Sequence, residues 1–406
     1  MNGRLGALAE RDFRLVFASS TIDSIGDSVA AIALVYAVLH ISNDSATAVG
    51  IVLACRQGAA AVVTLAAGVV SDRLPRHLVL VAVSSVLAAV QTVVAALVLS
   101  GSATVLLLAV LAAVYGLADG FQLPASQGLI PAVVSEARLQ QANALLGLSR
   151  SILSFVAPAI GGLLVVAGSP GSAIAIDAAS FVVAAVLLQR VTVAPRDDVV
   201  APEPFRRELR EGWYEFRRQT WIWTTIFFFG ISNFVGQSFL VLAPLVTKVH
   251  YDGAKTLGWI FSCFGAGTLI GGVIALRWHP SRPLLVSCLA ATPLSLGSIT
   301  LAFLAPLPVV LAGQVIAGIG ISIHLALWFT VFQQQVPEAA RARVSSYDAL
   351  GSFVLVPVGT AVAGPVASVI GIKATLLAAA ATMLTTKAII VSQPSVRAIR
   401  RVRLAP

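Results

Sequence analysis

Twelve apolar runs of roughly 20 residues follow one another between Phe13 and Val391, with only short polar breaks between them. Each is long enough to cross roughly 30 Å of hydrocarbon. A soluble domain uses one or two such helices in its core, and twelve in series require a bilayer. The runs cover about 13–39, 47–71, 78–99, 104–125, 138–167, 172–190, 221–247, 256–276, 284–304, 309–333, 343–369 and 373–391. With 58% hydrophobic and 11% charged residues, the chain is far more apolar than a soluble protein. The predicted fold class is therefore an all-α membrane protein.

The segment from Met1 to Arg14 is polar and mixed in charge, and the first apolar run carries Asp23 and Asp27. It reads as a retained first helix rather than a cleaved leader. Cys55, Cys263 and Cys288 are odd in number and fall inside apolar runs, which implies no disulfide framework and no metal site.

Twenty-one of the 27 lysines and arginines fall in alternate breaks that share one side with the N-terminus, and only Lys248, Lys255 and Lys373 fall on the other. The positive-inside rule then places both termini in the cytoplasm. The same distribution accounts for the net charge of +9. Charges spread over many membrane-flanking loops do not build a nucleic-acid surface.

The longest polar stretch, Arg190 to Thr220, holds Pro195, Pro202 and Pro204 and then an amphipathic, interfacial-helix pattern from Phe205 to Arg218. It divides the chain into an N-terminal six-helix half (1–190), a cytoplasmic linker (191–220) and a C-terminal six-helix half with a basic tail (221–406). The halves echo each other: Ile130-Pro131, Arg138 and Asn143-Ala144-Leu145 correspond to Val336-Pro337, Arg343 and Asp348-Ala349-Leu350, an offset of about 205 positions.

Ionisable residues inside a span are functional candidates, because an uncompensated buried charge costs several kcal/mol. Asp23 and Asp27 share a face of the first helix. At about 1.5 Å per residue, Asp27, Arg56 and Arg150 lie roughly 20, 22 and 18 Å above the cytoplasmic edge. The predicted midplane cluster is Asp23, Asp27, Arg56 and Arg150. A carboxylate alternately paired with arginine and opened to a cavity can couple proton flow to conformation; a static bridge between helices is the competing reading.

Asp119 is expected near the inner surface and Asp177 near the outer one, as helix-end hydrogen-bonding groups, with Lys387 snorkelling inward. Asn233, Gln237, His324 and Trp328 are candidates for a substrate cavity, with inter-helix hydrogen bonding or core packing as the alternatives. Gly265, Gly267, Gly271 and Gly272 lie within a span and read as close helix packing. There is no Walker motif, no H-E-x-x-H, and Ser24 stands where a G-x-G-D aspartyl site needs glycine, so neither ATP use nor an enzyme is indicated, and no cofactor is implied.

The stretch Gly68-Val-Val-Ser-Asp72-Arg73-Leu-Pro-Arg76 resembles the cytoplasmic loop motif G-x-x-x-D-R-x-x-R of the major facilitator superfamily. Ala157-Pro158-Ala-Ile-Gly161-Gly162 is similar to that family's antiporter motif, with alanine in place of its first glycine. Pro124 to Pro131, Leu139 to Gly147, Asp177 to Phe181 and Val344 to Gly351 are similar to the macrolide-efflux-type, drug:proton antiporter-like branch. The second-half counterpart of the loop motif, Gly272 to Arg282, lacks the acidic residue, and the fourth run has no arginine.

The resemblance implies the major facilitator fold, twelve helices in two pseudo-symmetric halves, with Gly68, Asp72, Arg73 and Arg76 as a cytoplasmic gating motif and Pro158, Gly161 and Gly162 as an antiporter-like motif. It also implies a proton-coupled secondary active exporter of small amphipathic compounds, drug or macrolide-like, working by alternating access. Export of an endogenous metabolite or siderophore, import, and a non-transporting receptor are the alternatives. The expected partners are a small-molecule substrate, protons and the lipid bilayer, without nucleic acid. The chain is expected to act as a monomer in the bacterial inner membrane.

Overall fold

The computed structural model describes residues 6–193, 214, 217–336 and 338–400; within the helices, the side chains of 65, 66, 68–73, 338–343 and 346 are outside the description. No strand occurs among the described residues. In hydrocarbon every backbone N–H and C=O must be satisfied within the protein, and a helix does so within its own segment.

In chain order the helices are α1 (Arg11–Ile41), α2 (Ala46–Arg73), α3 (Arg76–Leu99), α4 (Val105–Asp119), α5 (Gln122–Val133), α6 (Leu139–Ala167) and α7 (Pro170–Gln189). They are followed by α8 (Thr220–His250), α9 (Ala254–Arg277), α10 (Pro283–Ala290), α11 (Ser295–Ala302) and α12 (Leu307–Gln335). The last four are α13 (Glu338–Phe353), α14 (Val356–Ile370), α15 (Ile372–Ser392) and the short α16 (Pro394–Ala398).

Twelve segments are long and apolar enough to span a membrane, and each overlaps one apolar run of the sequence. Three are interrupted. The fourth span joins α4 to α5, the ninth joins α10 to α11 through Thr292–Leu294, and the eleventh joins the end of α13 to α14. The fourth reaches Val133, eight residues beyond the apolar run, because Gln122 and Ser126 continue the helix although they dilute its hydropathy.

Local chemistry sets the joints. At the start of α7, Ser169 and Ser172 exchange hydrogen bonds as a capping box with Pro170 at the first helical position, so the sixth span starts sharply. Gly253, at φ +57°, makes the tight turn between α8 and α9, a backbone conformation that favours glycine.

The chain forms two compact units, 1–197 with 244–262, and 198–243 with 263–406. The sequence reading ended the first half at 190 and gave all of α8 and α9 to the second. In the structure the last turns of α8 and the first turns of α9 belong to the first unit. The physical reason is a pair of contacts onto α1 and the turn that follows it: Tyr36 bonds Thr247 Oγ1 at 2.8 Å, and Lys248 pairs with Asp44. Most of the 191–220 linker, including its amphipathic segment, lies outside the described residues.

Within the first unit α1 and α3 pack on α7, and α2 packs on α4. A Cβ on Gly116 would run into the Arg56 carbonyl, so the α2–α4 approach is close enough to require glycine. The second unit repeats the device between α9 and α12, where Gly267 and Gly318 meet the facing backbones of Val315 and Phe264. In that unit α10 packs on α12, and α11 packs on α15.

Candidate functional site: buried charges in each six-helix half

In the first half, two of the predicted charges meet. Arg56 Nη2 of α2 lies 3.6 Å from Asp27 Oδ1 of α1. The Tyr115 hydroxyl of α4 donates to the same carboxylate oxygen. The Arg56 guanidinium also lies 3.9 Å over the Tyr115 ring, so one tyrosine supplies a hydrogen bond to the anion and a π face to the cation. The close glycine approach at Gly116, next to Tyr115 in sequence, allows the two helices to share this network.

Asp23, one turn before Asp27, is 5% exposed, and its Oδ1 has no hydrogen-bond partner among the described residues. Asp177 of α7 is fully buried; it accepts from Gln91 Nε2 at 2.5 Å and from Ser180 Oγ at 3.3 Å. Gly26 lies between Asp23 and Asp27 in α1, and a Cβ there would strike Ser180 and Asp177. The missing side chain admits the Asp177 carboxylate to α1.

Two expectations are corrected here. Arg150 does not join the cluster: it is exposed on α6 and forms no ion pair among the described residues. Depth along a helix placed it correctly, but its azimuth faces away, and residue counting along a span cannot supply azimuth. Asp177 is not a helix-end group but lies in the bundle interior, bonded to α3. Tyr115 and Gln91 were absent from the sequence reading. Tyr115 sits four residues before Asp119, and a polar residue mid-span was the only available signal for either.

The antiporter-like motif packs on two neighbours in the same unit. A Cβ on Gly161 would come 2.9 Å from Val29 Cα of α1. One on Gly162 would come 2.5 Å from the Ala254 carbonyl of α9, and Gly258 faces the Pro158 carbonyl in return. Pro158 lies inside α6 and leaves a carbonyl of the preceding turn without its usual donor. In the loop motif, Arg76 Nη1 donates to the Gly128 carbonyl of α5 at 2.7 Å. Beyond their helical backbone, Gly68, Asp72 and Arg73 lie outside the description.

The second half holds a different cluster. Lys387 of α15 is 3% exposed, with Nζ 3.6 Å from the centroid of the Phe229 ring and 3.4 Å from Ser232 Oγ. This overturns the inward-snorkelling expectation, since the side chain turns into the bundle instead of reaching along it. The Phe229 ring stacks on His324 with centroids 4.4 Å apart and planes 6° from parallel. His324 Nδ1 lies 2.9 Å from Ser287 Oγ.

Two of the four expected cavity residues are likewise corrected. His324 and Trp328 are 3% and 5% exposed and belong to packed interior, Trp328 donating its indole N–H to Asp348 at 3.0 Å. Their aromatic area stabilises more when packed than when it lines an opening. Asn233 and Gln237 are half-buried: Asn233 donates to the Ser352 carbonyl at 2.9 Å, and Gln237 accepts from Thr360 at 3.1 Å.

The two clusters occupy equivalent positions. Asp177 and Lys387 each lie on the sixth span of their half and face the first, at Gly26 and Ser232 respectively. Tyr115 and His324 each lie on the fourth. All these pairs are separated by about 205 to 210 positions, the same offset as the sequence echo. One half thus concentrates carboxylates where the other holds an amine and an imidazole.

Twelve spans in two six-helix halves, each with a buried polar centre, define a multi-pass membrane protein of the secondary-transporter class. The chain belongs to the Major Facilitator Superfamily, whose profile matches residues 16–360. It is 26% identical over 399 residues to a protein of Mycolicibacterium fortuitum named multidrug efflux pump Tap, covering 94% of this chain and 95% of that protein. It is 22% identical to macrolide efflux protein A of Streptococcus pyogenes, covering 89% and 90%. Among solved structures it is similar to a point mutant of the nucleoside transporter NupG (TM-score 0.74, 13% identity, 93% of this chain and 98% of that one). It is also similar to a bacterial homologue of the iron transporter ferroportin in its inward-facing state (TM-score 0.71, 16% identity, 94% and 99%). These two likenesses bear on the fold.

Proposed function

We propose that the protein is a proton-coupled exporter of small amphipathic compounds, drug or macrolide-like, that works by alternating access in a bacterial cytoplasmic membrane with both termini inside. The fold supports transport, the names of the relatives support efflux, and the count of basic residues supports the orientation.

The observation that carries proton coupling is the pair of carboxyls on α1. Asp27 is compensated by Arg56 and Tyr115, whereas Asp23, a single turn away, is buried with an unpartnered oxygen. A bare charge so placed costs several kcal/mol, and a bound proton removes that cost. Breaking the Asp27–Arg56 contact would leave a second carboxylate, half-buried, without its cation. Proton occupancy and helix arrangement then bias each other, as coupling requires.

The test uses inverted membrane vesicles containing the protein, with erythromycin and ethidium as probes. Proton-driven uptake that collapses with an uncoupler and is lost in Asp23→Asn and Asp27→Asn, while both variants still exchange probe down its gradient, supports the proposal. Uptake at the full rate in both variants, or uptake indifferent to the uncoupler, overturns it.

A further inference from the structure

The final helix folds back onto the second half. Val396 of α16 is fully buried in the same core cluster as Leu284 at the start of α10 and Ile390 near the end of α15, with Ile399 packed against it. This docking fixes the residues on either side. Arg397 and Arg400 are exposed, as is Arg282, which caps α10 two residues before Leu284. Arg397 Nε donates to the Val391 carbonyl at 2.6 Å, which ties the guanidinium to the helix end through one of its three nitrogens.

None of Arg277, Arg282, Arg397 and Arg400 forms an ion pair among the described residues. Between 263 and 406 the sequence contains only Glu338 and Asp348 as acidic residues, and Asp348 is bound to Trp328. Arg277 borders exposed apolar surface. The end of α9 exposes Val273 and Leu276, 54% and 78% accessible, immediately before Arg277 and the 46% exposed Trp278. An apolar helix face ending in arginine and tryptophan marks the level where acyl chains give way to headgroups.

We propose that Arg282, Arg397 and Arg400, together with Arg277 and Trp278, which precede Arg282 by five and four residues, form a binding surface for the phosphodiester headgroup of an anionic phospholipid. The guanidinium fork matches two phosphate oxygens, and the adjoining face of α9 accepts the acyl chain. A soluble phosphate compound would use the arginines but not that apolar face.

The experiment is native mass spectrometry of the intact protein in detergent, titrated with palmitoyl-oleoyl phosphatidylglycerol or phosphatidylcholine. Phosphatidylglycerol should be retained in preference, and R282Q/R397Q/R400Q should lower its apparent affinity by about fivefold per arginine, on the order of a hundredfold in all. The triple variant R11Q/R14Q/R190Q, which removes as many exposed charges from the first half, should retain it. Val396→Gln, which undocks α16 while leaving every charge unchanged, should also weaken binding. Equal retention of phosphatidylcholine, equal loss in both triple variants, no effect of Val396→Gln, or displacement of the lipid by free glycerol phosphate would each overturn the proposal.

Discussion

The ammonium of Lys387 rests 3.6 Å from the centre of the Phe229 ring, and the stacked imidazole of His324 occupies that ring's other face. At these separations an ammonium and an imidazole do not fit on the same face. One phenylalanine therefore separates two basic groups, and it offers the lysine its attractive quadrupole in a place where no carboxylate pairs with it among the described residues. Phe229→Leu should lower thermal stability in detergent. Lys387→Met should cost less in the Phe229→Leu background than in the native one, with a coupling of about 1–2 kcal/mol in a double-mutant cycle. Additive effects would show that the contact contributes nothing.

Tyr115 serves Asp27 and Arg56 together, and the two roles can be separated. Tyr115→Phe keeps the ring under the guanidinium and removes the hydrogen bond to the carboxylate. Loss of a charge-assisted hydrogen bond worth about 1.5–3 kcal/mol should slow proton-driven transport by about tenfold or more. Tyr115→Leu, which removes both roles, should abolish it. Initial rates of erythromycin uptake in inverted vesicles distinguish these outcomes.

Arg56 and Arg150 lie at similar depth, yet only Arg56 reaches Asp27. Arg150→Gln should therefore leave transport within about twofold of native, a change worth under 0.5 kcal/mol, as for an ordinary exposed position. Arg56→Gln leaves Asp27 without its cation and should stop proton-driven uptake. Arg56→Lys should not restore it fully, because an ammonium cannot stack on Tyr115 and reach the carboxylate in the same way.

Gln91 is the buried partner of Asp177. Gln91→Leu strands a carboxyl in the first half's interior and should destabilise by about 1–3 kcal/mol. Removing both partners, Gln91→Leu with Asp177→Leu, should recover much of the loss, since two apolar groups leave nothing unsatisfied. Fluorescence-detected thermal unfolding reads both effects.

Two glycines of α6 respond oppositely to the same change. Gly162→Ala sets a methyl 2.5 Å from the Ala254 carbonyl, where backbone faces backbone and neither can move alone. It should lower stability and transport together. Gly147→Ala meets nothing within 4 Å and should stabilise by about 1 kcal/mol through helix propensity. Thermal unfolding and vesicle uptake of the two variants make the comparison.

The resemblance motifs were legible because they depend on local spacing. Pro158, Gly161 and Gly162 need only one helix to be recognised, and the structure adds which neighbours they admit, α1 and α9. The charge centre was legible in part. Asp27 and Arg56 could be matched by depth, because rise per residue is constant in a helix. Arg150 failed the same argument because partnership also depends on which way each helix is turned. That rotation is set by packing at positions such as Gly26 and Gly116, where a missing side chain brings two helices together.

Hydropathy and length alone determined the twelve crossings, since the cost of exposing backbone to hydrocarbon leaves a chain of this composition no other arrangement. Only the tertiary structure decided that Lys387 turns inward onto Phe229, that Asp177 is held by Gln91, and that His324 and Trp328 are core. A side chain's partner in a helical bundle depends on the azimuth and separation of several helices at once. Those quantities arise from many small packing contacts and are not written at any single position of the chain.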